Sequence, residues 1–196
     1  METIIFMYIT LIPVILAGIL TMIWCKLPIL KFLKRPIDCG KCLRDGKRIF
    51  GDNKTWMGLC GYLITNILVF ILWGLISQKS DYLQMHNYFY SYYNNTPFFN
   101  LLIGLLSGLA YALFELPNSF LKRRLDIRPG KSIGGGWKVF FIFMDQADSV
   151  IGCALVVWMF HDIGLLTFIA FILVGAITHM VLNMLLYILH LRKNMF

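Results

Sequence analysis

An all-α integral membrane protein with five transmembrane helices is the fold class the sequence predicts, on three observations. First, the 196 residues are 59% hydrophobic and only 14% charged, with a mean hydropathy of +0.72; soluble domains are nearer about 45–50% apolar. Second, five apolar segments approach the roughly 20 residues needed to cross a hydrocarbon core. Third, the net charge of +8 is lopsided in space. With residues 26–56, 118–144 and the C-terminus placed on one side, nine Lys or Arg fall in the first loop, six in the second and two in the tail, and Lys79 alone lies opposite. This positive-inside pattern predicts an N-terminus outside, a cytoplasmic C-terminus and two polar cytoplasmic loops. It explains the basic balance through orientation, with no nucleic acid as partner. The expectation is a multi-pass protein of the cell membrane, one polytopic domain over residues 1–196, with its site facing the cytoplasm.

The elements follow in order. Met1 to Cys25 is the first span. It lacks a basic segment before its apolar run and a convincing cleavage site, so it reads as a retained helix, kinked at Pro13. Lys26 to Thr55 is a basic loop whose Leu27–Leu33 stretch alternates apolar and basic residues, a pattern suited to the membrane interface. Trp56 to Ser77 is the second span. Gln78 to Pro97 is polar and rich in tyrosine (Tyr82, Tyr88, Tyr90, Tyr92, Tyr93), which suits a membrane–water boundary. Phe98 to Leu116 is the third span, and its Gly104 and Gly108 form a G-x-x-x-G that permits close helix packing. Pro117 is expected to end it, with Asn118 or Ser119 capping a short helix that carries Lys122, Arg123 and Arg124. Asp145 to Phe160 is the fourth span, His161 and Asp162 form a tight turn, and Gly164 to Leu191 is the fifth.

Two polar stretches carry candidate chemistry. Asp145-Gln-Ala-Asp148 puts two carboxylates at i, i+3, on one face of the first turn if a helix starts there. Helix capping explains one of them; the pair also suits Mg²⁺, which takes one or two protein carboxylates plus substrate phosphates. The triplet Lys122, Arg123, Arg124 reads either as orientation and headgroup charge or as phosphate binding; on a helix, three adjacent cations cannot all face one ligand. Glu115 at the inner end of the third span pairs with a cation or joins the metal site. Gly51-Asp-Asn-Lys-Thr-Trp56 offers a turn glycine, a cation and hydrogen-bonding groups, without the P-loop spacing. Gly134-Gly135-Gly136 reads as a linker or a phosphate cradle. His179 and Asn183, at i, i+4, read as partners of a neighbouring helix or as part of the site's lower wall. Of the five cysteines, Cys39 and Cys42 form a lone C-x-x-C with no second ligand pair for structural zinc.

Phe50-Gly-Asp-Asn-Lys-Thr-Trp56 followed by Gly58, Asn118-Ser-Phe-Leu-Lys-Arg-Arg124 and Asp145-Gln-Ala-Asp148 together resemble the CDP-archaeol synthase family. The S-x-x-K-R…D-x-x-D half is also similar to the bacterial phosphatidate cytidylyltransferases. The resemblance covers nearly the whole chain, and Cys39-Gly-Lys-Cys42 departs from it. It implies transfer of CMP from CTP to a membrane lipid phosphate, archaetidic acid-like or phosphatidic acid, with release of pyrophosphate and a requirement for Mg²⁺. It also implies a catalytic set of Asp145, Asp148 and Lys122, with Asp145 and Asp148 on the metal. Nucleotide and phosphate contacts would come from Asp52, Asn53, Lys54, Thr55, Asn118, Ser119, Lys122, Arg123 and Arg124. CTP, the lipid phosphate and the surrounding membrane lipids are the partners so implied; the sequence leaves the oligomeric state and the lipid's chain type open. Two rivals remain. A membrane prenyltransferase also uses D-x-x-D with Mg²⁺, but with two such motifs and more helices. A non-catalytic subunit binding anionic lipid has no use for the Asp pair.

Overall fold

The structure, a computed structural model, describes residues 2–28, 30–129 and 136–190. Its α-helices are α1 (Glu2–Lys26), α2 (Trp56–Ser77), a short α3 (Asp81–Met85), α4 (Pro97–Arg124), α5 (Trp137–Phe160) and α6 (Gly164–Ile188). All but α3 are long and apolar enough to cross a membrane, which gives the five expected spans. Large apolar side chains stay exposed on their outer faces, among them Leu68, Leu72, Ile76 and Leu166, as lipid contact requires. The C-terminal ends of α1 and α4 and the N-terminal ends of α2 and α5 lie at one end of the bundle; α3 and the α5–α6 turn lie at the other.

Helices adjacent in sequence pack side by side, α1 on α2, α2 on α4, α4 on α5 and α5 on α6. The α2–α4 seam depends on the G-x-x-x-G: a Cβ at Gly104 would lie 2.8 Å from Ile67 Cα, and one at Gly108 would lie 2.6 Å from the Tyr62 carbonyl oxygen. Backbone therefore rests on backbone along this face. The ring of helices does not close. α1 and α6 touch only briefly, where Tyr8 and Thr178 hydroxyls meet at 3.2 Å, and below that contact a cleft runs between them.

The apolar core, including Met7, Leu11, Phe70, Phe89, Ile103, Val157 and Phe171, lies toward the end opposite the basic loops. The tyrosine-rich connection contributes to it. Tyr88 and Tyr90 are buried, while Tyr82, Tyr92 and Tyr93 keep the exposed position expected of the whole group. Thr10 accepts from the Tyr88 amide at 3.1 Å and Asn100 Oδ1 accepts from the Tyr90 hydroxyl at 2.9 Å, so the buried polar groups of this turn are satisfied.

Two expected boundaries are wrong. Pro117 does not end its helix: α4 runs through it to Arg124, supported on its flanks by α2 and α5, and the proline's local preference is overridden by tertiary packing. Asn118 is thus a buried helical residue, and Thr96 is the α4 N-cap. On the other side, α5 begins at Trp137. Asp145 and Asp148 consequently sit around its third turn, too far from the helix end to cap it. Of the glycine run, Gly134 and Gly135 lie outside the described residues, as do Lys131 and the C-terminal Arg192 and Lys193. All five cysteines are free thiols.

Candidate active site

A cavity of about 520 Å³ opens at the basic end of the bundle and continues into the α1–α6 cleft. Its polar part is built from two helix faces. On α4, Glu115, Asn118 and Lys122 are spaced i, i+3, i+7 and share one face. On α5, Asp145 and Asp148 face them. Asn118 bridges the pair, donating from Nδ2 to Asp145 Oδ1 at 2.7 Å and to Asp148 Oδ2 at 2.9 Å. Lys122 Nζ grips both oxygens of Asp145. Glu115 pairs with Lys54 Nζ, as its position near the inner end of the span suggested, and accepts from the Tyr62 hydroxyl at 3.1 Å. Burial disfavours the Lys54 ammonium, but Glu115, together with Asp148 and Asp145, outweighs this and raises its pKa above the ordinary lysine value.

Three carboxylates and two ammonium groups therefore meet in one small space, with Arg123 at the rim. The Arg123 Nε is buried with no partner. So is the Asn118 Oδ1, although the same amide's nitrogen serves two carboxylates. Exchanging that oxygen and nitrogen by a turn of the amide presents Oδ1 to the gap between Asp145 and Asp148. The resulting set is all oxygen, hard and anionic, and fits a divalent cation such as Mg²⁺ better than a softer metal. Among the described residues no group of three or more His, Cys, Asp or Glu is arranged to enclose a metal; the fit is to an ion that takes its remaining ligands from substrate or water.

Asn53, Lys54, Asn118, Ser119, Lys122, Arg123, Asp145 and Asp148 all line the cavity. The other three expected site residues lie elsewhere. Asp52 is exposed and pairs with Arg48 Nη1 at 2.9 Å. Thr55 caps α2, its Oγ1 accepting from Gly58 N at 3.2 Å. Arg124 turns away from the cavity, bonding Asp45 and the carbonyls of Lys47 and Arg48. In return Lys47 Nζ donates to the Arg124 carbonyl at 2.9 Å. The basic triplet is thus divided: two members line the cavity and one fastens the first loop to α4.

Sequence reasoning did not select Tyr62, Tyr111 or Arg128, which also line the cavity. Tyr111 precedes Glu115 by one helical turn, a spacing that marks a shared face; nothing local marks Tyr62 or Arg128. Farther down, Gln146 follows Asp145 and turns toward α6. Asn183 Nδ2 donates to its Oε1, and His179 Nδ1 lies 3.3 Å from its carbonyl oxygen. His179 and Asn183 do bind a neighbouring helix, and they also line the lower cavity.

Three comparisons bear on this geometry. Residues 3–196 match the family model described as CarS-like: CDP-archaeol synthase. The chain is 33% identical over 175 residues to the CDP-archaeol synthase of Methanocorpusculum labreanum, covering 80% of this chain and 88% of that one. It is 31% identical over 154 residues to the Pyrococcus furiosus CDP-archaeol synthase, covering 78% of each. A solved chain described as an intramembrane enzyme for archaeal membrane lipids biosynthesis aligns over 90% of this chain and 92% of its own, with a TM-score of 0.61. At 21% identity that likeness establishes the shared helical fold alone.

Proposed function

The chain belongs to the CDP-archaeol synthase family and is a CTP-dependent lipid cytidylyltransferase of the membrane; from that premise we propose that its second substrate is an ether-linked isoprenoid lipid phosphate of the archaetidic acid type. The relatives' name specifies such a product, and the feature of this chain that supports the reading is the continuity of its cavity. One end is lined by carboxylates and cations, and the other is the apolar cleft between α1 and α6, with Leu11, Val14, Ile15 and Leu186 on its walls. A lipid can keep its chains in the cleft while its phosphate reaches the charged end. The basic end is proposed to face the cytoplasm, where CTP is found, in keeping with the positive-inside pattern.

The lipid phosphate is already anionic near neutral pH, so no residue is required to take a proton from it. Its oxygen bonds to the α-phosphorus of CTP while the bond from that phosphorus to the bridging oxygen of the β-phosphate breaks, and pyrophosphate leaves with that oxygen. The barrier is the approach of two polyanions. Lys54, Lys122 and Arg123 place three cations around the space the phosphates must occupy, where water is scarce and charge stabilisation is strong. Ser119 and Asn53 add neutral donors at the rim. Asp145 and Asp148, with Asn118 between them, would hold Mg²⁺, which when bound supplies further neutralisation of the triphosphate and of the departing pyrophosphate. Glu115 and Tyr62 hold Lys54 in its place and leave it charged.

The direct test is transfer of label from α-labelled CTP into lipid by purified protein in micelles with Mg²⁺. Label is expected in the unsaturated ether-linked isoprenoid lipid phosphate in preference to phosphatidic acid. Equal or better use of phosphatidic acid would refute the assignment of the lipid.

A further inference from the structure

We infer that Asp38 is a positioning residue for nucleotide binding: its carboxylate fills the backbone nest at Phe50–Gly51 and thereby sets Asn53 and Lys54 at the cavity rim and Gly51 against Arg123. This rests on the reading that the rim residues contact CTP.

The first loop is short of regular structure, so something must fix it. Residues 35–37 run antiparallel to 54–56, with Ile37 N donating to Lys54 O at 2.8 Å and Trp56 N to Arg35 O at 3.1 Å. Asp38 comes next in the chain and turns back on itself, its carbonyl accepting from Lys41 N at 2.8 Å. Its side chain is fully buried. Oδ2 accepts from Phe50 N and Gly51 N, each at 3.0 Å, and from Arg48 Nε at 3.3 Å. Oδ1 accepts from Arg48 Nη2 at 2.6 Å and from Gly40 N at 3.1 Å. Five donors on one carboxylate satisfy both oxygens, and Arg48 balances the charge.

Two successive amides converging on one point, with Gly51 at φ +95°, form the kind of concave nest that binds anions. Here the chain's own carboxylate is the anion. This has two consequences. The glycine turn is not free to cradle a substrate phosphate, so phosphate binding is left to side chains. And the orientation of the segment is fixed on both faces: inward by Asp38, and outward where a Cβ on Gly51 would meet Pro129 Cγ at 3.1 Å and Arg123 Cδ at 3.5 Å. Asn53 and Lys54 follow within three residues of this fixed point. Asp38 itself does not line the cavity, and it acts through the segment it holds.

The test is equilibrium binding of CTP with Mg²⁺ to the full-length protein in micelles, paired with steady-state kinetics. Asp38→Asn keeps the volume but leaves five donors facing a single good acceptor. It is expected to weaken CTP binding about tenfold or more, with the KM for lipid phosphate close to wild type and any loss of amide protection confined to the first loop. Gly51→Ala, which strains the nest from the other side, is expected to show the same selectivity. In a double-mutant cycle with Lys54→Ala, Asp38→Asn should cost less than it does alone, because the group it positions is gone. CTP binding that Asp38→Asn and Gly51→Ala leave unchanged overturns this inference alone, as does full additivity with Lys54→Ala. Equal weakening of both substrates together with loss of amide protection across the helices overturns it in favour of a structural role. Failure of the wild type to bind CTP overturns both this inference and the function on which it rests.

Discussion

Asn118 on α4 joins two carboxylates on α5, at 2.7 Å from Asp145 and 2.9 Å from Asp148, while its own Oδ1 is buried without a partner. One amide thus ties the two helices together at the point where their charge is densest. Replacing it by Ala leaves the carboxylates facing each other with one neutral donor lost. Activity should fall about 10–100-fold, with a matching rise in the Mg²⁺ concentration needed for half-maximal rate. A fall in rate at unchanged Mg²⁺ dependence would assign Asn118 to helix packing only.

Asp148→Asn keeps shape and burial and removes a negative charge. Turnover should drop by at least about a hundredfold, the upper end of what the loss of a mere outer partner costs. The protein should still insert and melt normally. Substantial CTP-dependent label in lipid with this variant would sink the metal role of Asp148.

Gly108→Leu should destabilise the bundle. Its Cβ alone would lie 2.6 Å from the Tyr62 carbonyl oxygen, and backbone cannot yield as a side-chain tip can. A loss of about 1–3 kcal/mol is expected, read as a lower melting temperature in detergent; Gly136→Leu, where a Cβ has nothing within 4 Å, serves as the unaffected control.

The first loop should be acid-labile through Asp38. Burial alone would raise that carboxyl's pKa, but Arg48 and the amides of Gly51, Phe50 and Gly40 hold it well below the usual range. A carboxyl whose pKa is lower folded than unfolded contributes its full stabilisation above the unfolded value, near about 3.9. That contribution is lost progressively as pH falls from there through the folded pKa. Amide exchange at Phe50 and Gly51, corrected for its intrinsic pH dependence, should show protection constant above about pH 5 and falling below about pH 4. In Asp38→Asn the acid-dependent loss should vanish.

The five spans were legible because each is a long apolar run, and in a bilayer such a run has little choice but helix. The close seam at Gly104 and Gly108 was legible from spacing. Of the polar side chains that line the cavity, Asn53, Lys54, Glu115, Asn118, Ser119, Lys122, Arg123, Asp145 and Asp148 were visible near span ends. The helix boundaries were not. Local rules put a stop at Pro117 and a start at Asp145, and packing against α2 and α5 carried α4 through the proline. Arg124 was grouped with Lys122 and Arg123 by the family resemblance, although helical geometry already forbade all three from facing one ligand, and the structure shows that Arg124 is the one turned away. Successive residues on a helix point about 100° apart, so adjacency separates side chains rather than gathering them.

What the sequence determined by itself was therefore what depends on composition and period: a five-span membrane bundle, its charge asymmetry, and the residue types available for phosphate and metal. What only the tertiary structure decided was which of those residues meet. Lys54 finds Glu115 across 61 positions and Asn118 finds Asp148 across 30, and Asp38 becomes the anchor of a turn that begins a dozen residues later. No local pattern encodes such pairings. They follow from helices packing in three dimensions and from the requirement that each buried charge find a partner where water cannot serve.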